Sequence, residues 1–214
     1  PAEAQAGDII LNTPILSASE EGIISAGSLG GGKKGGDIDV NVTTLDLRDS
    51  SRIESSTRGE GRGGVITVSA SDAVTLSAAA KISTEGYESG KAGDILLEEG
   101  LKTLTLKQKA SLSSSNSGVG DAGSITVNAE ASMILESGSV TTEAAQGRGG
   151  NISVTAPVLS ASQGGGISAS VSGGVEDGGQ IEIDVTILDF SSGSRIESST
   201  GGEGEGGVIT IRAS

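Results

Sequence analysis

The chain of 214 residues contains 36 Gly, 28 acidic and 14 basic residues, no Cys and no His, and its formal net charge is −14. The lack of Cys excludes disulfides and thiolate metal sites, and the scattered cations of an acidic chain argue against nucleic acid as a partner. No apolar run reaches the roughly 20 residues that a membrane helix needs.

A five-residue pattern, Gly-x-Ile-x-(Val/Leu/Ile), begins near the amino terminus and recurs along the whole chain. Its apolar and polar residues alternate, which predicts a short β-strand at each copy. Successive copies are 29, 28, 29, 30, 27, 29 and 28 residues apart. The anchor Ile of each copy is Ile9, Ile38, Ile66, Ile95, Ile125, Ile152, Ile181 or Ile209.

Each interval holds two further strand signals in a fixed order. An alternating pair such as Leu45 and Leu47 comes first, and a lone aliphatic residue such as Ile53 follows it. Ser or Thr and then a Gly-rich stretch complete the interval. Gly is expected at these places because the turns need a positive φ or a close approach of two backbones.

A repeat of this kind predicts an all-β fold, the right-handed parallel β-helix or β-solenoid. We expect seven to eight coils of about 28 residues with three short strands per coil. Coils stacked 4.7–4.9 Å apart would form a rod about 35 Å long. Residues 1–214 are interpreted as a single array. Neither end shows a polar or helical cap, so we interpret the array as a segment of a longer chain or as a subunit that stacks end to end.

A longer duplication is superimposed on the coil repeat. The segments Gly36–Ser71 and Gly179–Ser214 are identical at 23 of 36 positions and lie 143 residues apart. Pro14 and Pro157 have the same separation. Five coils therefore form a larger repeated unit. The twin "SRIESST" stretches are predicted to be a strand and turn of the solenoid and not a duplicated catalytic loop.

The range Gly36–Gly64 combines Gly-Asp-Ile, Leu-x-Leu, Ser-x-Ile-x-Ser-Ser-Thr and Gly-x-Gly-x-Gly-Gly. This combination resembles the repeats of filamentous haemagglutinin-like proteins of cyanobacteria, which are secreted by the two-partner route. The resemblance implies a secreted, non-enzymatic fibre or adhesin shaft at the cell surface or in the extracellular matrix. The expected partners are further copies or flanking repeats, and possible adhesion targets include a cell-surface or matrix glycan.

A polysaccharide-acting enzyme is the first alternative, because related β-helices use carboxylates on an exposed strand face. The candidates are Asp46 and Asp49, with Asp189 as the duplicate of Asp46. Inward Leu45 and Leu47 would turn Asp46 toward solvent. The adjacent coils offer no second acid beside it, so we predict no catalytic residue.

A calcium-stabilised matrix protein is the second alternative, because hard cations prefer six to eight oxygen ligands. The Gly-Gly-x-Gly-x-Asp nonapeptide of calcium-bound β-rolls does not occur in register, so no cofactor is predicted and calcium stays an alternative. The stretch "GEGRGG" also resembles a phosphate-binding loop. Such a loop requires a helix that begins after it, and no helix is predicted here. The acidic candidates in the third turns are Glu60, Glu88, Asp121, Glu176, Asp177, Glu203 and Glu205.

The outward positions of the predicted strands carry further signals. Arg52 with Glu54, and Arg195 with Glu197, are expected to pair on the surface. A Thr-x-Thr ice-binding ladder is not supported, because Thr103 and Thr105 have no equivalent pair in the neighbouring coils. Phe190 is expected to point inward. Outward aliphatic residues that could support lateral packing are Ile10, Leu96, Ile134 and Ile187.

Overall fold

The structure is a computed structural model that describes residues 6–28, 34–98 and 100–213. The described residues form 18 β-strands and no helix. All ladders between these strands are parallel, and each joins one coil to the next. This confirms the predicted β-solenoid of about seven turns. The prediction of a single array over 1–214 also includes residues 1–5, 29–33, 99 and 214, which lie outside the described residues.

The strands are numbered in chain order and grouped into coils by the anchor Ile that opens each coil. Coil 1 contains β1 (Ile9–Asn12), β2 (Ile15–Ala18) and β3 (Ile23–Ser25); coil 2 contains β4 (Ile38–Leu47) and β5 (Arg52–Thr57); coil 3 contains β6 (Ile66–Leu76) and β7 (Lys81–Gly86); coil 4 contains β8 (Ile95–Glu98), β9 (Thr103–Lys107) and β10 (Ser111–Asn116). Coil 5 contains β11 (Ile125–Asn128), β12 (Ser132–Glu136) and β13 (Ser139–Ala144); coil 6 contains β14 (Ile152–Ser162) and β15 (Gly166–Val171); coil 7 contains β16 (Ile181–Phe190) and β17 (Arg195–Thr200); coil 8 begins with β18 (Ile209–Ala213). In coils 2, 3, 6 and 7 the first two predicted strands run on as one long strand.

The eight anchor Ile residues form one vertical column, as the sequence predicts. Ile9 pairs with Ile38, Ile38 with Ile66, and each later anchor with the next. From Ile38 to Ile181 the anchors are buried, whereas Ile9 is half-buried and Ile209 is partly exposed. The seven intervals correspond to a rise of about 34 Å at the usual spacing between strands.

The core lies between an 11-stranded sheet and a 7-stranded sheet. The larger sheet carries the first two strands of each coil, and the smaller one carries the third. Strands such as β5 and β10 alternate between buried and half-buried residues along their length. This alternation places one aliphatic column from each strand in a continuous interior, and stacking with the neighbouring coils buries it.

Glycine in the third turns is required by the close approach of successive coils. A Cβ added to Gly64 would lie 1.9 Å from the carbonyl oxygen of Gly36, and one added to Gly93 would lie 1.8 Å from that of Gly64. No side chain can occupy such a space. The Gly-Gly and Ala-Gly pairs before each anchor Ile therefore permit the strands to start directly above one another.

Positive φ occurs mainly in the second turn, and there mostly on residues other than Gly. Asp49 and Ser50 have φ values of 52° and 59°, and Ala78 and Ala79 have values of 50° and 62°. Equivalent pairs recur in coils 1 and 4, the second member of the pair is Gly in coils 6 and 7, and coil 5 has a single such residue. From the sequence, positive φ was expected at Gly residues. The positive φ of these second-turn residues was therefore not predicted. The left-handed conformation costs about 1–2 kcal/mol for a residue with a Cβ.

We predict that Ala79→Gly increases the free energy of unfolding by about 1 kcal/mol, because Gly adopts a positive φ without steric cost. Ala79 is exposed, so the substitution removes little packing. The control is Ala131→Gly, at an exposed position without a positive φ, which should destabilise by about 0.5–1 kcal/mol. Urea denaturation measures the free energy of unfolding of both variants. Equal effects of the two substitutions would contradict the prediction.

Candidate functional site

Carboxylate and amide side chains at the third turn connect most coils to the next. The Oδ1 atom of Asp8 accepts a hydrogen bond from the backbone N–H of Asp37 at 2.9 Å, and that of Asp37 accepts one from the N–H of Val65 at 2.8 Å. We call such a bond a coil tie. The remaining coil ties join Asp94 to Ser124, Asp121 to Arg148, Asn151 to Gln180 and Asp177 to Glu205, at 2.8–2.9 Å.

The coil ties join every successive pair of coils in the described residues except coils 3 and 4. The position occupied by Asp37 in coil 2 is Val65 in coil 3, and a Val side chain accepts no hydrogen bond. Asp94 forms two ion pairs at this boundary, and only the pair with Arg62 joins the two coils. The guanidinium of Arg62 contacts the carboxylate of Asp94, and the Nζ atom of Lys91 lies 3.8 Å from it.

In coils 2 to 5 and 7, the second residue after the aliphatic residue of strand three is a Ser or Thr that bonds to the Gly preceding strand one. Ser55 Oγ donates to the carbonyl oxygen of Gly36 at 2.9 Å. Thr84 Oγ1 donates to the carbonyl oxygen of Gly93 at 2.6 Å. Thr142 and Ser198 make the corresponding bonds to Gly150 and Gly179. The Ser or Thr at this one position is therefore a structural element that satisfies backbone carbonyls.

Three of the seven calcium candidates make contacts within the rod. Asp121 and Asp177 form coil ties. Glu176 accepts a hydrogen bond from the Nε atom of Arg148 at 3.1 Å. The described part of the chain holds no group of three or more acidic side chains that could ligate a metal ion. The other candidates, Glu60, Glu88, Glu203 and Glu205, are exposed.

The three carboxylates of the enzyme alternative do not form a paired site. Asp46 accepts hydrogen bonds from the guanidinium of Arg48, which lower the pKa of this carboxyl. Its partners in the coils below and above are Ser17 and Thr75. Asp49 lies in the second turn and Asp189 is exposed in coil 7.

An open groove of about 340 Å³ lies beside the third turns of coils 4 to 7. Glycine backbone forms part of its lining. Opposite charges alternate along one column of lining residues, and Ser and amide side chains form a second column. The groove thus offers hydrogen-bond donors and acceptors without an aromatic surface. The two columns are Lys91, Asp121, Arg148 and Asp177, and Ser124, Asn151 and Gln180.

The predicted surface ion pairs are present. Arg52 Nε lies 2.7 Å from Glu54 Oε2, and Arg195 Nε lies 3.7 Å from Glu197 Oε2. Exposed pairs of this kind contribute only about 0–1 kcal/mol. They are features of the surface and do not form a reactive centre.

Most of the predicted outward aliphatic residues are exposed. Ile10, Ile134 and Ile187 expose 64%, 38% and 54% of their surface, whereas Leu96 is half-buried. Ile10 and Ile187 lie near opposite ends of the described rod, and of these four residues only Ile134 is exposed in its middle. These residues do not form a continuous apolar stripe.

The two aromatic residues have different environments. Phe190 packs against the core, as expected. Tyr87 is partly exposed, its ring lies 5.1 Å from the guanidinium of Arg58, and its hydroxyl donates to Glu85. This hydrogen bond and burial raise the pKa of Tyr87.

No family model, curated protein or solved structure matches this chain. Among the described residues there is no helix with the length and apolarity needed to cross a membrane. Functional inference therefore rests on the coil stack and its surface.

The coil ties were the main feature that the sequence patterns did not reveal. A signal was present, because an Asp or Asn stands one or four residues before most anchor Ile residues, as in Asp37 and Asp121. The sequence alone does not show that the acceptor meets a backbone N–H about 28 residues later.

We predict that Val65→Asn supplies the missing coil tie between coils 3 and 4. The new side-chain oxygen would accept the N–H of Asp94, by analogy with Asp37 and Val65. The free energy of unfolding should rise by about 0.5–1.5 kcal/mol. Val65→Ala is the matched control, since it removes the same side chain without adding an acceptor. If urea denaturation gave the two variants equal stability, the proposed role of the coil tie would be wrong.

We also predict that the coil tie of Asp37 makes stability depend on pH. Burial raises the pKa of Asp37, but the hydrogen bonds from Lys34 and Val65 outweigh it and lower the pKa below the ordinary 3.8. The folded state therefore gains stability from this carboxylate above the unfolded pKa and loses it as the pH falls through the lower folded pKa.

The comparison of Asp37→Asn with Asp39→Asn tests this dependence. Asp39 lies on the outward side of β4, and its carboxylate makes no hydrogen bond or ion pair to the described residues. The free energy of unfolding, measured between pH 7 and pH 2.5, should fall less for Asp37→Asn than for the parent chain. Asp39→Asn should follow the parent chain. A parallel pH profile for all three proteins would overturn the assignment.

Proposed function

We propose that this chain is a non-catalytic structural segment of an exported fibre or adhesin shaft, located at the cell surface or in the extracellular matrix. The observation that supports the proposal is the unbroken ladder of anchor residues through all eight coils. A stack of this kind lengthens by about 4.8 Å for every coil added, without any change in its cross-section. It is suited to holding other parts of a protein at a distance.

The surface of the rod is consistent with an extracellular shaft. A net charge of −14 opposes the side-by-side association of separate rods in solution. The surface ion pairs and the polar outward positions discourage unwanted sheet association. The groove beside the third turns offers donors and acceptors to a cell-surface or matrix glycan, which is the adhesive partner class included in the proposal.

The sheets of the rod provide a route to longer assemblies. Strands β1, β2 and β3 pair only with coil 2, so their opposite edge has no partner among the described residues. An unpaired edge is a template for another strand. In the proposal, further coils of the same repeat cover this edge, either from the same chain or from another copy.

Immunoelectron microscopy of intact source cells tests the proposed location and role. An antibody raised against this chain should label filaments or projections outside the cell. Labelling confined to the cell interior would contradict an exported shaft, and extracellular labelling of compact particles would contradict a fibre.

We predict that Ile10→Pro blocks association through the edge of coil 1. The N–H groups of Ile9 and Thr13 donate to Asp37 and Asn41 in coil 2, at 2.9 and 3.1 Å. Because successive residues of a strand point to opposite neighbours, the N–H of Ile10 faces the unpaired edge. Proline at this position removes an edge donor without removing a bond of the folded chain.

Sedimentation velocity over a range of concentrations measures the effect. The parent chain and an Ile10→Val control should form end-to-end oligomers as the concentration rises, and Ile10→Pro should not. Equal association of all three proteins would exclude the edge of coil 1 as the contact. A strictly monomeric parent chain would show that copies do not stack by themselves.

A further inference from the structure

The hydrogen bonds between coils run along the axis of the rod and reach only the adjacent coil. Within the described chain, the longest bond in sequence joins Ser51 Oγ to the carbonyl oxygen of Ala18, 33 residues apart. A bond that skipped one coil would have to span about 56 residues or more. Each coil is therefore held only by its immediate neighbours.

Tension applied to the two ends of the chain acts on one strand at a time. At the edge of coil 1, β1 pairs with β4 along one line of bonds, and β2 and β3 follow β1 in the chain. A pull on the amino-terminal side loads β1 first, while β2 and β3 remain paired. The bonds of an end coil therefore break in sequence and do not share the load.

The loss of an end coil leaves the next coil folded. Coil 2 keeps its pairing with coil 3, in which Ile38 pairs with Ile66 and Ile53 with Ile82. The coil tie from Asp37 to Val65 also remains. The new end coil has the same arrangement as the one that was lost, with one paired edge and one free edge.

We propose that the rod lengthens under axial tension by releasing one coil at a time, so that a shaft of this construction acts as an extensible tether. This inference rests on the proposed function as a shaft. Each coil of 27–30 residues shortens the rod by about 4.8 Å when it is lost and adds about 90–100 Å of extended chain. Tension on the shaft therefore extends the chain before the attachment fails.

The same geometry favours recovery when the tension falls. The outermost folded coil presents an unpaired strand edge on which the released segment can pair again. Its aliphatic residues return to an interior that is already formed by the remaining coils. Re-formation requires only contacts about 28 residues apart in the chain, because no coil bonds to a distant one.

Single-molecule force spectroscopy on the whole 214-residue chain, held by handles at its two ends, tests the proposal. The extension trace should show repeated steps, each releasing about 90–100 Å of contour length. Relaxation of a partly extended molecule should restore the same steps in the next pull. One event that releases the entire chain, or steps unrelated to the coil length, would overturn the proposal.

A double substitution, Ser113→Cys with Thr141→Cys, supplies a control in the same molecule. The two residues are register partners on β10 and β13, and a spacing near 4.8 Å permits a disulfide. The chain has no other Cys. The disulfide would enclose 28 residues (141 − 113), so the oxidised protein should release about 90–100 Å less in total, and reduction should restore the loss.

An unchanged total length after oxidation of the double-Cys variant, with the disulfide verified by mass spectrometry, would contradict the assignment of steps to coils. A failure of the mechanical proposal can be distinguished from a failure of the proposed location and role. Stepwise release by a chain that labels only inside the cell would sustain the mechanical property and remove the shaft function. An extracellular filament that ruptures in one event would do the reverse.

Discussion

The structure depends on one constraint, which is that no coil can satisfy its own backbone. Every strand of the described residues finds its hydrogen-bond partners in an adjacent coil, and none within the same coil. The interior follows the same rule, because each buried Ile or Leu column is closed above and below by its own repeats. Stability is therefore a property of neighbouring pairs, and the regular spacing of about 28 residues is its direct expression.

This constraint also determines where the polar residues lie. Asp37 and Asp121 bond to backbone N–H groups of the next coil, and Ser55 and Thr142 satisfy carbonyl groups beneath the third turn. Asp121 and Asp177, two of the acidic residues considered as calcium ligands in the sequence, thus act as connections between coils. The same contacts explain why the third turns combine Gly, Asp and Ser so regularly, since each residue type has a separate structural task there.

A rod built only from nearest-neighbour contacts has two mechanical properties that suit a shaft. It can be lengthened without a change in cross-section, because every coil presents an equivalent edge to the next. It can also lose an end coil without disturbing the others, because no hydrogen bond in the described chain reaches past the adjacent coil. A globular domain of the same length lacks this separability, since its core joins distant parts of the chain.

The sequence by itself determined the fold class, the number of coils, the anchor column from Ile9 to Ile209 and the inward position of Phe190. These features follow from the local alternation of apolar and polar residues and from the constant period of the coil repeat. Both can be read directly from the sequence. Only the tertiary structure decided that Asp37 ties two coils together, that Ala78 and Ala79 adopt a positive φ, and that strands one and two merge in coil 3. Such features depend on which atoms of the next coil lie within reach, and that distance is set by the stacking of residues about 28 positions apart.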